Sequence, residues 1–165
     1  MNPSRFIAAG LAITALIAGV FFWLNSRSAA RLDGAILNIR SIATDTRALV
    51  VILDTRVNNP GRALFMVRDV SVLIEDSEGT LLEAEAAPEP DIDRLLDYHK
   101  TLGPRYNPTL KSRTRLDPGH TADYTIAGAF LLTEAEFAAR RSLRVKITDV
   151  DGAQIELAPS STPYR

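Results

Sequence analysis

From Gly34 onward the apolar positions of this chain mostly recur at every second residue. Leu49, Val51, Leu53 and Val57 fall on one side of a candidate strand, and Val70, Val72 and Ile74 on one side of the next. Tyr124, Ile126 and Phe130 continue the pattern; Leu143, Val145 and Ile147 alternate with Arg144 and Lys146, and Ile155 and Leu157 with Gln154 and Glu156. A spacing of two places successive side chains on opposite faces, so each run predicts a strand with one buried face. Turn residues punctuate the runs: Asn58-Asn59-Pro60-Gly61, Ser77-Glu78-Gly79 and Asp117-Pro118-Gly119. Asp151-Gly152 between the last two runs predicts a hairpin with positive φ at both turn positions. Regularly spaced strands with turns between them predict an antiparallel β-sandwich over residues 34–158, followed by a flexible tail at 159–165.

Two stretches break the alternation. Thr133 and Glu136 form a capping-box pattern, and Leu132 can staple to Phe137, which predicts a short helix bridging the sheets. Between Asp91 and Pro108 the chain reads DIDRLLDYHKTLGPRYNP. Asp91 is placed to cap, and Ile92, Leu95, Leu96 and His99 recur at helical spacing. Gly103 and Pro104 then stop an amphipathic helix expected to reach Leu102. Its apolar stripe is too short to stand alone, so the helix must dock on the sandwich or on a partner.

The N-terminus obeys a different rule. Phe6 to Leu24 carries no charge, and as a helix would rise roughly 28 Å, about the hydrocarbon thickness of a bilayer. Phe21, Phe22 and Trp23 gather at its far end, where aromatic rings suit the interface. The expectation is a tail at 1–5, a transmembrane anchor at 6–24 and a linker at 25–33. A cleaved signal peptide is the alternative, with a cut ahead of Arg31, although such apolar regions usually run only about 7–15 residues. Arg27 and Arg31 outnumber Arg5, which taken alone favours a cytoplasmic domain. Long domains, however, translocate largely regardless of charge, and the expectation is an extracytoplasmic domain.

Composition narrows the chemistry. A formal net charge of −1 gives no field to attract nucleic acid. The absence of cysteine removes thiol nucleophiles, disulfides and thiolate zinc sites. There is no Gly-x-Ser-x-Gly elbow, Walker loop or dinucleotide fingerprint. Of the two histidines, His99 reads as a packed helix residue and His120 as a solvated turn residue. The acidic run from Glu75 to Asp97 lacks the spacing of a calcium loop and reads as a solvated face. No cofactor or metal is expected.

After the acidic run the sign reverses. Lys111, Arg113 and Arg115 alternate, so on a strand they would share one face, either as a docking stripe or as a charged edge guarding against aggregation. Gly103 to Pro108, stiffened by two prolines, offers Tyr106 beside Arg105, a pairing suited to contact surfaces. Arg105, Tyr106, Lys111, Arg113 and Arg115 are therefore the predicted interaction residues.

The run ALVVILDTRVNNPGRALFMVRDVSVLIEDSEGTLL resembles the opening strands of immunoglobulin-like bacterial envelope domains: the telokin-like, FxLYD-type and late-embryogenesis-abundant type 2 modules. Val57, Asn58, Asn59 and Pro60 stand at their asparagine turn, Asp76 and Gly79 at their Asp-x-x-Gly turn, and Leu116, Pro118 and Gly119 at their Leu-x-Pro-Gly turn. The Phe-x-Leu-Tyr-Asp signature is missing, and the helix after Pro90 is an insertion. The resemblance implies a non-enzymatic, membrane-tethered module that contacts another envelope protein. Two alternatives stay open: a small or lipid ligand held between sheet and inserted helix, and a hydrolase using His99 with neighbouring carboxylates.

Overall fold

A computed structural model describes residues 14–20 and 32–160. The segment expected to span a membrane, 6–24, lies largely outside the described residues; of it, 14–20 form an exposed helix, α1. Among the described residues no helix is long and apolar enough to cross a membrane. The remainder is mainly β, built as two antiparallel sheets. The first joins β1 (Asp33–Asp45), β2 (Ala48–Asn58) and β6 (Thr121–Phe130) in the order β1-β2-β6. The second runs β4 (Leu81–Glu85), β3 (Phe65–Glu75), β7 (Ser142–Asp149) and β8 (Gln154–Leu157), with β5 (Arg115–Leu116) paired to the start of β3.

The period-two residues do what their spacing requires. Leu49, Val51, Leu53 and Val57 from β2 and Tyr124, Ile126 and Phe130 from β6 meet Val70, Val72 and Ile74 from β3 and Leu143, Val145 and Ile147 from β7 in one buried cluster. The two sheets thus pack face to face around a shared core. Fully burying each such side chain is worth roughly 1.5–3 kcal/mol, so this cluster supplies the main stabilisation.

Turn chemistry fixes the ends of the strands. Asn59 is fully buried; its Nδ2 donates to the carbonyls of Ala63 (2.9 Å) and Leu116 (2.8 Å), and its Oδ1 accepts from Gly61 N–H (3.0 Å). Asp76 Oδ1 accepts from the N–H groups of Glu78 and Thr80, which hold its carboxyl below the usual carboxylate range, Thr80 most strongly. The β7–β8 hairpin differs in detail from expectation. Asp149 N–H donates to Ala153 O (2.8 Å), and of the turn pair only Gly152 takes positive φ (89°), so three residues rather than two form the connection. Gly34 is required where β1 crosses β2, because at φ 154° a Cβ would collide with the Arg56 carbonyl oxygen.

The short bridging helix, α3 (Glu134–Ala138), carries the expected capping box: Thr133 Oγ1 accepts from Glu136 N–H, and the Glu136 carboxylate from Thr133 N–H (2.7 Å). The inserted helix, α2, spans Glu89–Tyr98, with Pro88 rather than Asp91 at its N-cap and no side-chain cap. Pro90 in the first turn explains the shift, since proline suits a position whose N–H needs no partner. The helix stops at Tyr98, and Lys100–Leu102 is a separate 3₁₀ turn. At the other end of the domain the chain stays attached beyond residue 158: Ser160 N–H donates to Ile36 O (2.8 Å), and Ile36 N–H to Ala158 O (2.9 Å).

Candidate functional site

The insertion between β4 and β5 is tied at both ends to the outer edge of β6. Ala86 N–H still donates to Val70 O in the second sheet, whereas Ala87 N–H donates to Ala127 O (2.8 Å) in the first. On its return, Thr125 N–H donates to Pro108 O (2.9 Å) and Leu110 N–H to Thr125 O (3.2 Å). Between these ties α2 and the 3₁₀ turn lie across the outer face of the first sheet. There Ile92, Leu96 and Leu102 bury against Ile52 and Ala127 in a second apolar cluster. The space between helix and sheet, where the sequence left room for a small or lipid ligand, is thus filled by the protein's own side chains.

Beside this cluster sits an ion pair the sequence reading did not single out. Arg40 on β1 and Asp54 on β2 meet at 3.1 Å, with side chains only 12% and 7% exposed. Arg40 NH2 donates to both Asp54 oxygens, while Arg40 NH1 donates to the carbonyls of Leu102 (2.7 Å) and Pro104 (3.0 Å). Thr125 Oγ1 (2.9 Å) and Asn38 Nδ2 (3.3 Å) complete the shell around Asp54. One guanidinium therefore joins the first sheet to the backbone of the loop that leaves the 3₁₀ turn. Above it lies the Tyr106 ring, 5.1 Å from the guanidinium carbon, a cation–π contact that backs one of the most exposed aromatics of the domain (64%).

Next to Tyr106 opens a hollow of about 380 Å³, lined by Leu37, Asn38, Asp54, Tyr106, Asn107 and Asp123. Asp123 is gripped by Arg56 through two hydrogen bonds, Nε to Oδ1 (2.7 Å) and NH2 to Oδ2 (2.8 Å). These bonds hold its carboxyl below the usual range, against a smaller opposing effect of burial.

The predicted interaction residues do not form one surface. Tyr106 stands at the hollow. Arg105 is turned back onto α2, where NH1 meets Glu89 at 2.6 Å and Nε meets Asp93 at 3.4 Å; it also donates to Thr109 Oγ1. Lys111 Nζ reaches the other Glu89 oxygen at 2.9 Å, and Lys111 and Arg105 together lower the Glu89 pKa. The expected one-faced strand of Lys111, Arg113 and Arg115 is not there. Lys111–Thr114 is a turn closed by Thr114 N–H to Lys111 O (3.1 Å), Arg113 has φ 67°, and only exposed Arg115 lies on a strand, opposite Met66. Arg113 N–H donates to Val67 O (2.7 Å).

His99 ends α2, its N–H bonded to Leu95 O and its ring edge-on to Tyr98 at 4.8 Å; His120 is an exposed turn residue. Of the acidic run, Glu83 pairs with Lys146 and Glu75 with Arg144 on the outer face of the second sheet, whereas Glu89, Asp91, Asp93 and Asp97 make their ion pairs on α2.

The residues missed in sequence, Asn38, Arg40, Asp54, Asn107 and Asp123, carried one usable signal. ALVVIL before Asp54 is apolar on both parities, as in a strand covered on both faces. A lone carboxylate continuing the outward parity of Val50 and Ile52 therefore has to be buried and paired.

No family model matches this chain, and no curated protein does. Among solved structures it is similar to a Bordetella pertussis crystal structure bearing the name ApaA, at 15% identity over 81% of this chain and 97% of that one, with a TM-score of 0.39. An X-ray structure of structural genomics target SoR45 aligns at 8% identity over 83% of this chain and 85% of that one, with a TM-score of 0.37. Both superpose too loosely to identify the chain.

Proposed function

We propose that this protein is a non-enzymatic binding module: an immunoglobulin-like β domain held at a bacterial inner membrane by residues 6–24, facing away from the cytoplasm. It engages another envelope protein through the Tyr106 loop. The strand order supports the immunoglobulin-like reading. β1-β2-β6 and β3-β7-β8 correspond to the A-B-E and C-F-G strands of that fold, with β4 moved from the edge of E to the edge of C. The observation that carries the functional reading is the exposed Tyr106 ring, fixed from below by Arg40, since a rigid exposed aromatic loses little entropy on binding. Arg113 and Arg115 are exposed where the chain returns to β3, apart from Tyr106.

The test is in-cell photo-crosslinking of the full chain with a photoreactive residue at position 106 and, as a control on the second sheet, at position 81. A discrete protein adduct at 106 alone is expected. Equal adducts at both positions, or none at 106, would refute the assigned surface.

A second reading, a small-ligand binder, is favoured by the hollow beside Tyr106, which at about 380 Å³ falls within the usual range for ligand pockets. Native mass spectrometry of protein purified from its own cells would reveal a retained ligand.

A further inference from the structure

The chemistry of the hollow narrows what it can hold; the inference rests on the small-ligand reading above. Two carboxylates face it, but each is matched by an arginine, Asp54 by Arg40 and Asp123 by Arg56. The site is therefore polar without net charge, and a bare cation or anion would find no unbalanced partner there. What remains is hydrogen-bonding capacity. Each Asp123 oxygen accepts one N–H from Arg56, leaving a lone pair on each. Among the described residues the Asn38 side chain spends only an N–H on Asp54, and its carbonyl oxygen keeps its acceptor capacity. Asn107 has no side-chain hydrogen bond among the described residues, so its amide offers both donors and acceptors. Leu37 and the exposed Tyr106 ring supply the apolar part.

Mixed donors and acceptors of fixed orientation, no net charge and an aromatic flank match a ligand that carries hydroxyls around its rim and C–H groups on its faces. We propose that the hollow binds a neutral polyhydroxylated ring, a sugar residue of a glycan. Its hydroxyls donate to Asp123 and Asn38 and exchange hydrogen bonds with Asn107, and its apolar face lies along Tyr106. A volume of about 380 Å³ leaves room for one or two such rings.

The full chain, held in a detergent without a sugar headgroup, is titrated with maltotriose, cellotriose and chitotriose and followed by saturation-transfer difference NMR. At least one trisaccharide is expected to receive saturation. Binding should weaken roughly threefold to tenfold in Asn107→Ala, the loss of about one net hydrogen bond, and become undetectable in Tyr106→Ala. Asn107 lies on a loop and bonds through its side chain to nothing among the described residues, so that variant separates loss of binding from loss of fold. No transfer to any of the three at millimolar concentration would overturn the proposal, as would unchanged binding in both variants. Displacement of the sugar by hexalysine, in a manner abolished by salt, would also overturn it by showing that the site reads charge. A retained ligand of other chemistry in native mass spectrometry would sink the glycan while leaving the small-ligand reading intact. Sugar binding without a protein adduct at position 106 would sink only the protein-partner reading.

Discussion

Asn59 shows how one side chain can hold two turns. Its amide donates to two main-chain carbonyls, of Ala63 and Leu116, and accepts from Gly61 N–H, while its own N–H and carbonyl bond to His120 O and Gly119 N–H. Alanine at this position strands two carbonyl acceptors at a buried site, whereas Asn58 spends its side chain on an exposed hydroxyl of Thr121. Leaving a buried polar group unsatisfied costs about 1–3 kcal/mol each. Asn59→Ala is therefore expected to lower unfolding free energy in urea titration by about 2–4 kcal/mol, and Asn58→Ala by less than about 1 kcal/mol. Equal losses would show that the two asparagines matter only as turn formers. The Asn-Pro-Gly sequence made a turn legible here, because its cause is local. Which of the two asparagines turned inward was not legible, since the acceptor on Leu116 lies 57 residues away.

The element that needed the tertiary structure most is the insertion. Helical spacing identified α2 and its apolar stripe, and Thr133 with Glu136 identified α3, because capping and amphipathicity act over three or four residues. Where α2 docks is set by two different forces. Ile52, Ile92, Leu96 and Leu102 contribute roughly 1.5–3 kcal/mol each by leaving water, whereas the Arg40–Asp54 pair gains little net energy once its desolvation is counted. The apolar cluster thus drives docking and the ion pair fixes the register of the loop. Removing one partner is a different matter, because the other is left charged and buried. Arg40→Ala is expected to cost about 3–5 kcal/mol and to speed hydrogen exchange of the α2 amides. The paired change Arg40→Met with Asp54→Leu should recover most of the stability in the same urea titration. If the pair costs as much as the single change, the guanidinium contacts to Leu102 and Pro104 are what hold the loop.

For the molecule as a whole, the insertion acts as a cover. It occupies the outer edge of β6 and the outer face of the first sheet, while the second sheet leaves its outer face to water behind the ion pairs of Lys146 and Arg144. The insertion leaves and rejoins β6 opposite Ala127 and Thr125, two residues apart and about 7 Å along a strand. Replacing 89–107 by a short glycine-serine link is therefore geometrically possible. The face-to-face core and the backbone ties of Ala87, Pro108 and Leu110 to β6 would be untouched, but Val50, Ile52 and Ala127 would face water. The expected outcome is a folded β domain by circular dichroism that melts at lower temperature and self-associates in light scattering; a monomer with unchanged melting would remove the covering role. By itself the sequence determined strands β2, β3, β6, β7 and β8 with their inward faces, the places of the turns between them and the capping of the short helix, because each follows from side-chain spacing within a few residues. Only the tertiary structure decided that Lys111 and Arg105 fold back onto Glu89, and that Arg40 reaches Asp54 and the carbonyl of Leu102, 14 and 62 residues along the chain. Such meetings depend on which strands become neighbours, and a free energy summed over the whole sheet order sets that choice, not the pattern of any one segment.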